Sequence, residues 1–317
     1  MILDAINNGS STAFSFEVCP PIKGRGLDSI YSTIDLLREF DPKYINITTH
    51  RSELVYRNTS AGLFEGVTLR RRPGTVAIAA AIKNKYHIDV VPHILCSGFS
   101  KEETEYVLID LDYLGIHDLL VLRGDKAPQD KRFTPDANGH SFAVELQDQI
   151  NKFNEGFFVD GTPIDYKMSA PFTYGVAGYP EKHEEAPNFD FDIANLKRKV
   201  ENGAKYIVTQ MFFDNEKFYS FVDRCRMEGI NVPVIPGLKP ISKVSQLSVL
   251  AKTFHVDLPT DLVNGMMNCK SEADMRAFGV EWCVAQAKDL IKHGVPSIHF
   301  YSINATKSVA EVAKQVY

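Results

Sequence analysis

The chain has 317 residues, of which 44% are hydrophobic and 24% charged, and its net charge is -5. This composition is typical of a soluble globular protein with a full core, and it gives no reason to expect a nucleic-acid partner. The five cysteines are scattered without a Cys-x-x-Cys spacing, which indicates reduced thiols in a reducing compartment. The first residues lack the basic and apolar regions of a signal peptide, and no apolar run is long enough to span a bilayer. We therefore expect a cytoplasmic protein with no membrane partner.

Eight apolar segments are predicted to be strands, and helical patterns lie between most of them. The predicted strands are 13–18, 44–49, 89–95, 118–123, 167–177, 206–212, 232–237 and 297–303. The predicted helices are 27–40, 74–86, 101–114, 140–154, 189–202, 214–228 and 271–293. Such alternation predicts an α/β fold, a single (β/α)8 TIM barrel. An open doubly wound sheet is less favoured, because no Gly-x-Gly-x-x-Gly or Gly-x-x-x-x-Gly-Lys-Ser/Thr loop follows any strand.

A glycine precedes several of these strands by a few residues, as at Gly115, Gly203, Gly229 and Gly294. A glycine just past a helix end can adopt the left-handed conformation that satisfies the last helical carbonyls. We find no linker or low-complexity segment, so we expect one domain over residues 1–317.

In barrels of this kind the chemistry lies where strands end and loops begin. The polar residues at those ends are Glu17, Thr48, Thr49, His50, His93, Arg123, Gly124, Asp125, Tyr179, Glu181, His183, Gln210, Lys239, Tyr301 and Asn304. The set is rich in hydrogen-bonding groups, but no local spacing supports a metal site, and we expect none.

Glu17 lies between Phe16 and Val18 in a predicted strand. Burial disfavours the charged carboxylate and raises its pKa, which makes a usable general acid near neutral pH. The alternative is a structural glutamate paired with a barrel arginine or lysine, and position alone leaves the two interpretations open.

Gln210 is the one amide side chain inside the apolar run Ile-Val-Thr-Gln-Met-Phe-Phe, so it needs a partner, and a bound ligand is one candidate. Asp125 follows Gly124, which permits a tight turn or a close approach to a ligand. The Asp125 carboxylate therefore either contacts a ligand or caps the next loop.

Four polar residues fall together on the predicted helix 189–202. Asp192, Asn195 and Lys199 share one face, and Arg198 lies beside them. This stripe can hold phosphates and a ribose, or it can be a solvated helix face. By themselves, His93 and Tyr301 are more typical of core packing than of ligand binding.

The motifs as a set are more informative than any one of them. They are Ser-Phe-Glu-Val-Cys-Pro-Pro, Asn-Ile-Thr-Thr, Val-Pro-His-Ile-Leu-Cys, Leu-Arg-Gly-Asp, Tyr-Pro-Glu-Lys-His, Asp-Ile-Ala-Asn-Leu-Lys-Arg-Lys, Thr-Gln-Met-Phe-Phe-Asp, Pro-Gly-Leu-Lys-Pro and His-Phe-Tyr-Ser-Ile-Asn. In this order they resemble the bacterial methylenetetrahydrofolate reductases over nearly the whole chain. The resemblance implies an FAD-containing (β/α)8 barrel that reduces 5,10-methylenetetrahydrofolate to 5-methyltetrahydrofolate. NADH or NADPH would reduce the flavin first and leave, and the folate would then take its place in a ping-pong scheme.

The resemblance also implies roles for particular residues. Glu17 would be the general acid that protonates N10 of the folate, and Asp125 would stabilise the cationic intermediate. Gln210 and Tyr301, with Glu17, would bind the substrate. The implied FAD contacts are Thr48, His93, Arg123, Gly124, Asp125, Tyr179, His183, Asp192, Asn195, Arg198 and Lys199. A homo-oligomer is also implied.

Three departures from the family pattern stand out. Ala305 replaces an arginine that can meet the folate glutamate tail, which leaves Lys307 as a candidate, and Leu95 replaces a threonine. The segment 155–170 is longer than in compact relatives and is expected to be a loop or hairpin. The chain ends after the barrel, so we do not expect inhibition by S-adenosylmethionine.

Three other functions compete with this interpretation. A different FAD-dependent barrel, similar to proline dehydrogenase, would share flavin contacts without needing Glu17 as an acid. A pterin-binding methyl-transfer barrel would bind folate without flavin. A silent partner subunit would not need Glu17, Asp125 and Gln210 together.

Overall fold

The computed structural model describes residues 2–7, 11–60, 62–127 and 130–317. Its strands are β1 Ala13–Val18, β2 Tyr44–Ile47, β3 Glu53–Asn58, β4 Phe64–Leu69, β5 Asp89–Leu95, β6 Asp118–Leu122, β7 Thr173–Gly178, β8 Tyr206–Met211, β9 Val234–Leu238 and β10 Ser297–Phe300. Its α-helices are α1 Ile2–Asn7, α2 Asp28–Leu37, α3 Thr75–Tyr86, α4 Lys101–Tyr113, α5 Ala143–Asn154, α6 Phe189–Glu201, α7 Asn215–Met227, α8 Ser245–Phe254, α9 Thr260–Asn268, α10 Glu272–Lys292 and α11 Thr306–Val316. A 3-10 turn, Arg38–Phe40, follows α2.

Eight of the strands close into a parallel barrel in the order β1-β10-β9-β8-β7-β6-β5-β2. The predicted (β/α)8 barrel is therefore confirmed. Every residue of β1 is buried, as expected for a parallel strand covered on both faces. In the register of β1 and β10, Ala13 pairs with Ser297 and Phe16 with Phe300.

The strand predicted over 167–177 starts later than expected, since β7 begins only at Thr173. Pro171 lacks the amide hydrogen that a ladder position needs, which is consistent with the later start. The predicted helix-terminal glycines are confirmed: φ is 63° at Gly115, 118° at Gly203, 79° at Gly229 and 75° at Gly294.

The chain comprises two compact units. Unit 1 consists of Met1–Val18, Tyr31–Asn46 and Gly175–Tyr317, and unit 2 consists of Cys19–Ile30 and Ile47–Tyr174. A single domain over 1–317 stays a prediction.

Some elements were not predicted from the sequence. In unit 2, β3 and β4 form a separate antiparallel hairpin. In unit 1, α8 and α9 cover an apolar cluster made of Met211, Phe213, Ile241, Leu247, Leu250, Val256, Leu262 and Met266. The segment 155–170 contains a short hairpin, with an antiparallel bridge between Phe157 and Pro163, as predicted. Within the described ranges, no helix is both long enough and apolar enough to cross a membrane.

Candidate functional site

Glu17 is at the carboxyl end of β1 and is buried, with 6% of its surface exposed. Burial raises the pKa of its carboxyl to about 7, and the positive charge of Lys239 opposes that shift. A substantial fraction of Glu17 is therefore protonated near neutral pH. The raised pKa inferred from the flanking residues is confirmed, whereas the general-acid role stays a prediction.

Lys239 follows β9 and supplies the positive charge that acts on Glu17. Its Nζ donates to the carbonyl oxygens of Tyr301, at 3.1 Å, and Ile303, at 2.8 Å. Burial lowers the pKa of Lys239, and the negative charge of Glu17 opposes that shift. The two side chains thus favour the charged form of each other, while burial disfavours both charges.

Tyr301 is anchored by its hydroxyl group, which donates to the carbonyl oxygen of Thr209 at 2.7 Å. Its ring passes over Gly237: a Cβ at that glycine would lie 2.5 Å from Cε2 of Tyr301 and 2.4 Å from the Thr209 oxygen. Burial and the charge of Glu17 raise the pKa of Tyr301. The ring therefore packs against the barrel wall with its hydroxyl proton directed to the backbone.

We expect Gly237→Ala to destabilise the protein by about 1–3 kcal/mol, the usual cost of inserting a methyl group into a packed site. The Thr209 carbonyl cannot move without disturbing β8, so the Tyr301 ring must shift as well. Urea unfolding followed by circular dichroism measures the effect. Gly26→Ala is the control, since the nearest atom to an added Cβ there is 3.7 Å away. An unchanged midpoint for Gly237→Ala would contradict the close packing.

Gln210 is half-buried near the end of β8, and its Oε1 accepts from the backbone N–H of Met211 at 2.9 Å. One of the hydrogen-bonding groups of this half-buried side chain, Oε1, is therefore satisfied by the protein's own backbone. Among the described residues the side-chain amide N–H groups of Gln210 have no hydrogen-bond partner, so they can donate to a ligand.

A hydrogen bond to a buried carboxylate ties the loop after β7 to helix α6. The backbone N–H of His183 donates to Oδ2 of Asp192 at 2.9 Å, and the Asp192 side chain is buried. The rings of Tyr179 and His183 pack edge to face with centroids 4.7 Å apart. Farther along α6, Arg198 donates to Oδ1 of Asn195. Asp192 therefore holds the loop, and the predicted polar stripe is not a uniform solvated face.

In unit 2 a cluster of hydroxyl and imidazole groups lies just after β2 and on β5. Oγ1 of Thr49 donates to the carbonyl oxygen of His93 at 2.6 Å, and Oγ1 of Thr48 lies 3.4 Å from Nε2 of His50. His93 is buried, and burial together with the charge of His50 lowers its pKa to about 3. His93 is therefore a neutral imidazole at any physiological pH.

The segment after β6 contains Gly124, whose φ is 82°. A Cβ there would lie 2.8 Å from Cβ of Ser97, so only glycine fits without movement. Oγ of Ser97 donates to the carbonyl oxygen of Asp125 at 3.0 Å, and the Asp125 side chain is exposed. Arg123 lies over the ring of Phe133, 4.7 Å from its centroid. Gly124 thus adopts the left-handed conformation that glycine permits, whereas a tight turn at this position stays a prediction.

The role of Lys239 and the contacts of His50 were not predicted from the sequence. Lys239 was visible only as the polar residue after the seventh predicted strand. Ala305 is buried at the start of α11, whereas Lys307, on that helix, is exposed. Among the residues that the structure describes, no group of three or more His, Cys, Asp or Glu side chains is placed to hold a metal ion.

Comparison with known proteins identifies the family that this chain resembles. The model of the methylenetetrahydrofolate reductase family matches residues 2–317. Methylenetetrahydrofolate reductase (NADH) 1 of Arabidopsis thaliana is 28% identical over 316 residues, which cover 96% of this chain and 48% of that protein. The 5,10-methylenetetrahydrofolate reductase of Escherichia coli K12 is 29% identical over 291 residues, covering 92% of this chain and 86% of that protein.

The chain thus spans about half the length of the eukaryotic relatives and most of the bacterial ones. A solved structure from Clostridium thermocellum, of a protein that binds two copies of 5-methyl-5,6,7,8-tetrahydrofolic acid, superposes with a TM-score of 0.57 at 15% identity. It covers 100% of this chain and 98% of that one, and the likeness shows the barrel fold. With the family match extending from residue 2 to residue 317, the chain belongs to the methylenetetrahydrofolate reductase family.

Proposed function

We propose that this protein reduces 5,10-methylenetetrahydrofolate to 5-methyltetrahydrofolate, with electrons that pass from NADH or NADPH through bound FAD. The observation that carries the proposal is Glu17, a buried carboxyl whose pKa of about 7 suits a general acid. Family membership supports the same reaction over the flavin-free and proline-dehydrogenase-like alternatives. Relatives named for NADH and for NADPH both occur, so either donor fits the family.

In this proposal Glu17 donates its proton to N10 of the folate. The bond between N10 and the methylene carbon then breaks, which opens the five-membered ring and leaves a cationic iminium at N5. The carboxylate formed on Glu17 is stabilised by the nearby charge of Lys239, whose ammonium is held by two backbone carbonyls. The amide N–H groups of Gln210 donate to the pterin or to the nicotinamide amide, and Tyr301 forms a wall of the folate site.

The Asp125 carboxylate is assigned the second catalytic role, stabilisation of the cationic iminium. It is exposed, and its negative charge opposes the burial and the Arg72 charge that lower the pKa of His50. A carboxylate that already acts on a neighbouring imidazole can in the same way stabilise positive charge on a bound folate.

Each of the two units offers residues of the types that bind FAD. In unit 2, hydroxyl, imidazole and guanidinium groups of Thr48, His93 and Arg123 can form hydrogen bonds to the cofactor. On α6, Asn195, Arg198 and Lys199 offer an amide and two cations for ribose and phosphates. The proposed FAD contacts are Thr48, His93, Arg123, Gly124, Asp125, Tyr179, His183, Asp192, Asn195, Arg198 and Lys199. When bound, FAD would accept two electrons from the nicotinamide and pass them to the folate.

We expect Lys199→Ala to weaken FAD binding about ten- to a hundredfold, because one charge-assisted contact to a phosphate is worth about 1.5–3 kcal/mol. Titration of apoprotein with FAD, followed by flavin fluorescence, measures the dissociation constant. Lys197→Ala on the same helix is the matched control. Equal affinity for both variants would mean that Lys199 does not contact the cofactor.

An anaerobic visible spectrum tests the whole proposal. Bleaching of a flavin band by NADH or NADPH, and its return on adding 5,10-methylenetetrahydrofolate, are the expected results. Bleaching without return would retain the flavin barrel and reject the folate. Absence of a flavin band after FAD is added would favour the pterin-binding alternative.

Homo-oligomeric assembly and a cytoplasmic location, both expected from the sequence, stay predictions. Sedimentation velocity of the purified protein tests the first, and fractionation of the source cells tests the second.

A further inference from the structure

Cys19 and His50 form a thiol–imidazole pair that the proposed reaction does not use. Sγ of Cys19 lies 3.1 Å from Nε2 of His50, and the same nitrogen is 3.4 Å from Oγ1 of Thr48. Cys19 is half-buried and His50 is exposed, so a small molecule in solvent can reach the pair.

Positive charge lies next to this pair. The guanidinium of Arg72 donates to the carbonyl oxygen of Pro20, the residue after Cys19. Burial and the Arg72 charge lower the pKa of His50, and the Asp125 charge opposes them. The imidazole is therefore neutral near pH 7, and its Nε2 can accept the thiol proton. A neighbouring cation favours the thiolate that results.

The other four cysteines have different surroundings. Cys96, Cys225 and Cys283 are buried, and burial raises the pKa of each thiol to about 12. Cys269 is half-buried, and its Sγ donates to a backbone carbonyl of α9 at 3.3 Å. Sγ of Cys19 also has a backbone carbonyl partner, that of Pro20 at 3.6 Å, and it has the His50 imidazole in addition. Cys269 is therefore similar to Cys19 in exposure and in its carbonyl contact, and the imidazole is the difference that the comparison tests.

We propose that Cys19, with His50 as its base, is a reactive thiol that exchanges with small anionic disulfides. The thiol proton passes to Nε2 of His50, and the Cys19 sulfur attacks one sulfur of the disulfide. A new S–S bond forms as the old one breaks, and the leaving thiolate takes the proton from the imidazole. Cys19 is oxidised to a mixed disulfide and half of the reagent is reduced to a thiol. This modification site does not depend on the proposed reductase reaction.

The test uses the purified protein, with its cofactor if one copurifies, and 5,5′-dithiobis(2-nitrobenzoate) as the disulfide. Peptide mass spectrometry of samples quenched with acid at successive times gives a separate rate for each cysteine. We expect Cys19 to react on the order of tenfold faster than Cys269, since the His50 imidazole beside it can accept the thiol proton as the sulfur attacks, and the neighbouring Arg72 cation favours negative charge on that sulfur. In urea the two rates should become equal. Equal rates in the folded protein would overturn the proposal.

The variant His50→Gln tests whether the reaction rate of Cys19 depends on the imidazole or on solvent exposure alone. This variant should slow the reaction of Cys19 on the order of tenfold and leave the reaction rate of Cys269 unchanged. An unaltered thermal melting curve shows that the variant is folded. The variant Cys269→Ser should leave the rate at Cys19 unchanged. A Cys19 rate that is insensitive to His50→Gln in a folded variant would also overturn the proposal. Should that variant not fold, the comparison of Cys19 with Cys269 in the unaltered protein still decides.

Discussion

Replacing Glu17 by glutamine is expected to abolish folate reduction while the flavin is still reduced by NADH or NADPH. Glutamine keeps the shape and the burial of the side chain but has no acidic proton to give to N10 of the folate. Loss of a positioned general acid costs about 10²–10⁴-fold in rate. Anaerobic stopped-flow absorbance resolves the two half-reactions, so the loss should fall on the folate step only.

The matched control for this experiment is Glu311→Gln, the same chemical change at an exposed position on α11. It should leave both half-reactions at the parental rate. If Glu17→Gln reduced folate at the parental rate, Glu17 would be the structural glutamate that the sequence left open. If it slowed both half-reactions equally, its role would be in flavin binding or folding.

The folate half-reaction is expected to slow tenfold per pH unit above about pH 7, because only protonated Glu17 can act as the acid. Three other titrating side chains discussed above do not produce the same decrease in rate. The pKa of His93 is lowered to about 3 and that of His50 is also lowered, so both imidazoles are already neutral there. The pKa of Tyr301 is raised well above its usual value.

Lys239→Met should move this decrease in the rate of the folate half-reaction to higher pH, by about one unit. The sign follows from the charge: Lys239 favours the carboxylate and lowers the pKa of Glu17, so removal of the ammonium raises it. Rates of the folate half-reaction measured from about pH 6 to pH 9 locate the midpoint. Lys243→Met, at an exposed lysine in the same connection, is the control and should leave the midpoint near pH 7. A downward or absent shift of the midpoint for Lys239→Met would show that another group controls the pH dependence of the rate.

Local features of the sequence determined the barrel and the chemical character of its residues. Strands of a parallel barrel are buried on both faces, so they read as apolar runs, and glycines such as Gly115 mark helix ends by their conformation. A carboxyl between Phe16 and Val18 was bound to be buried, and its raised pKa followed from that alone.

Contacts between distant parts of the chain were decided only by the tertiary structure. Nothing in the local pattern places Lys239 beside Glu17, the Tyr301 ring over Gly237, or His50 against Cys19. Helices α8 and α9 were also missed, since their apolar residues cover a cluster formed with β8 and its following loop. Periodicity reports which face of a segment is buried, but charge and packing partners depend on how the barrel brings strand ends together.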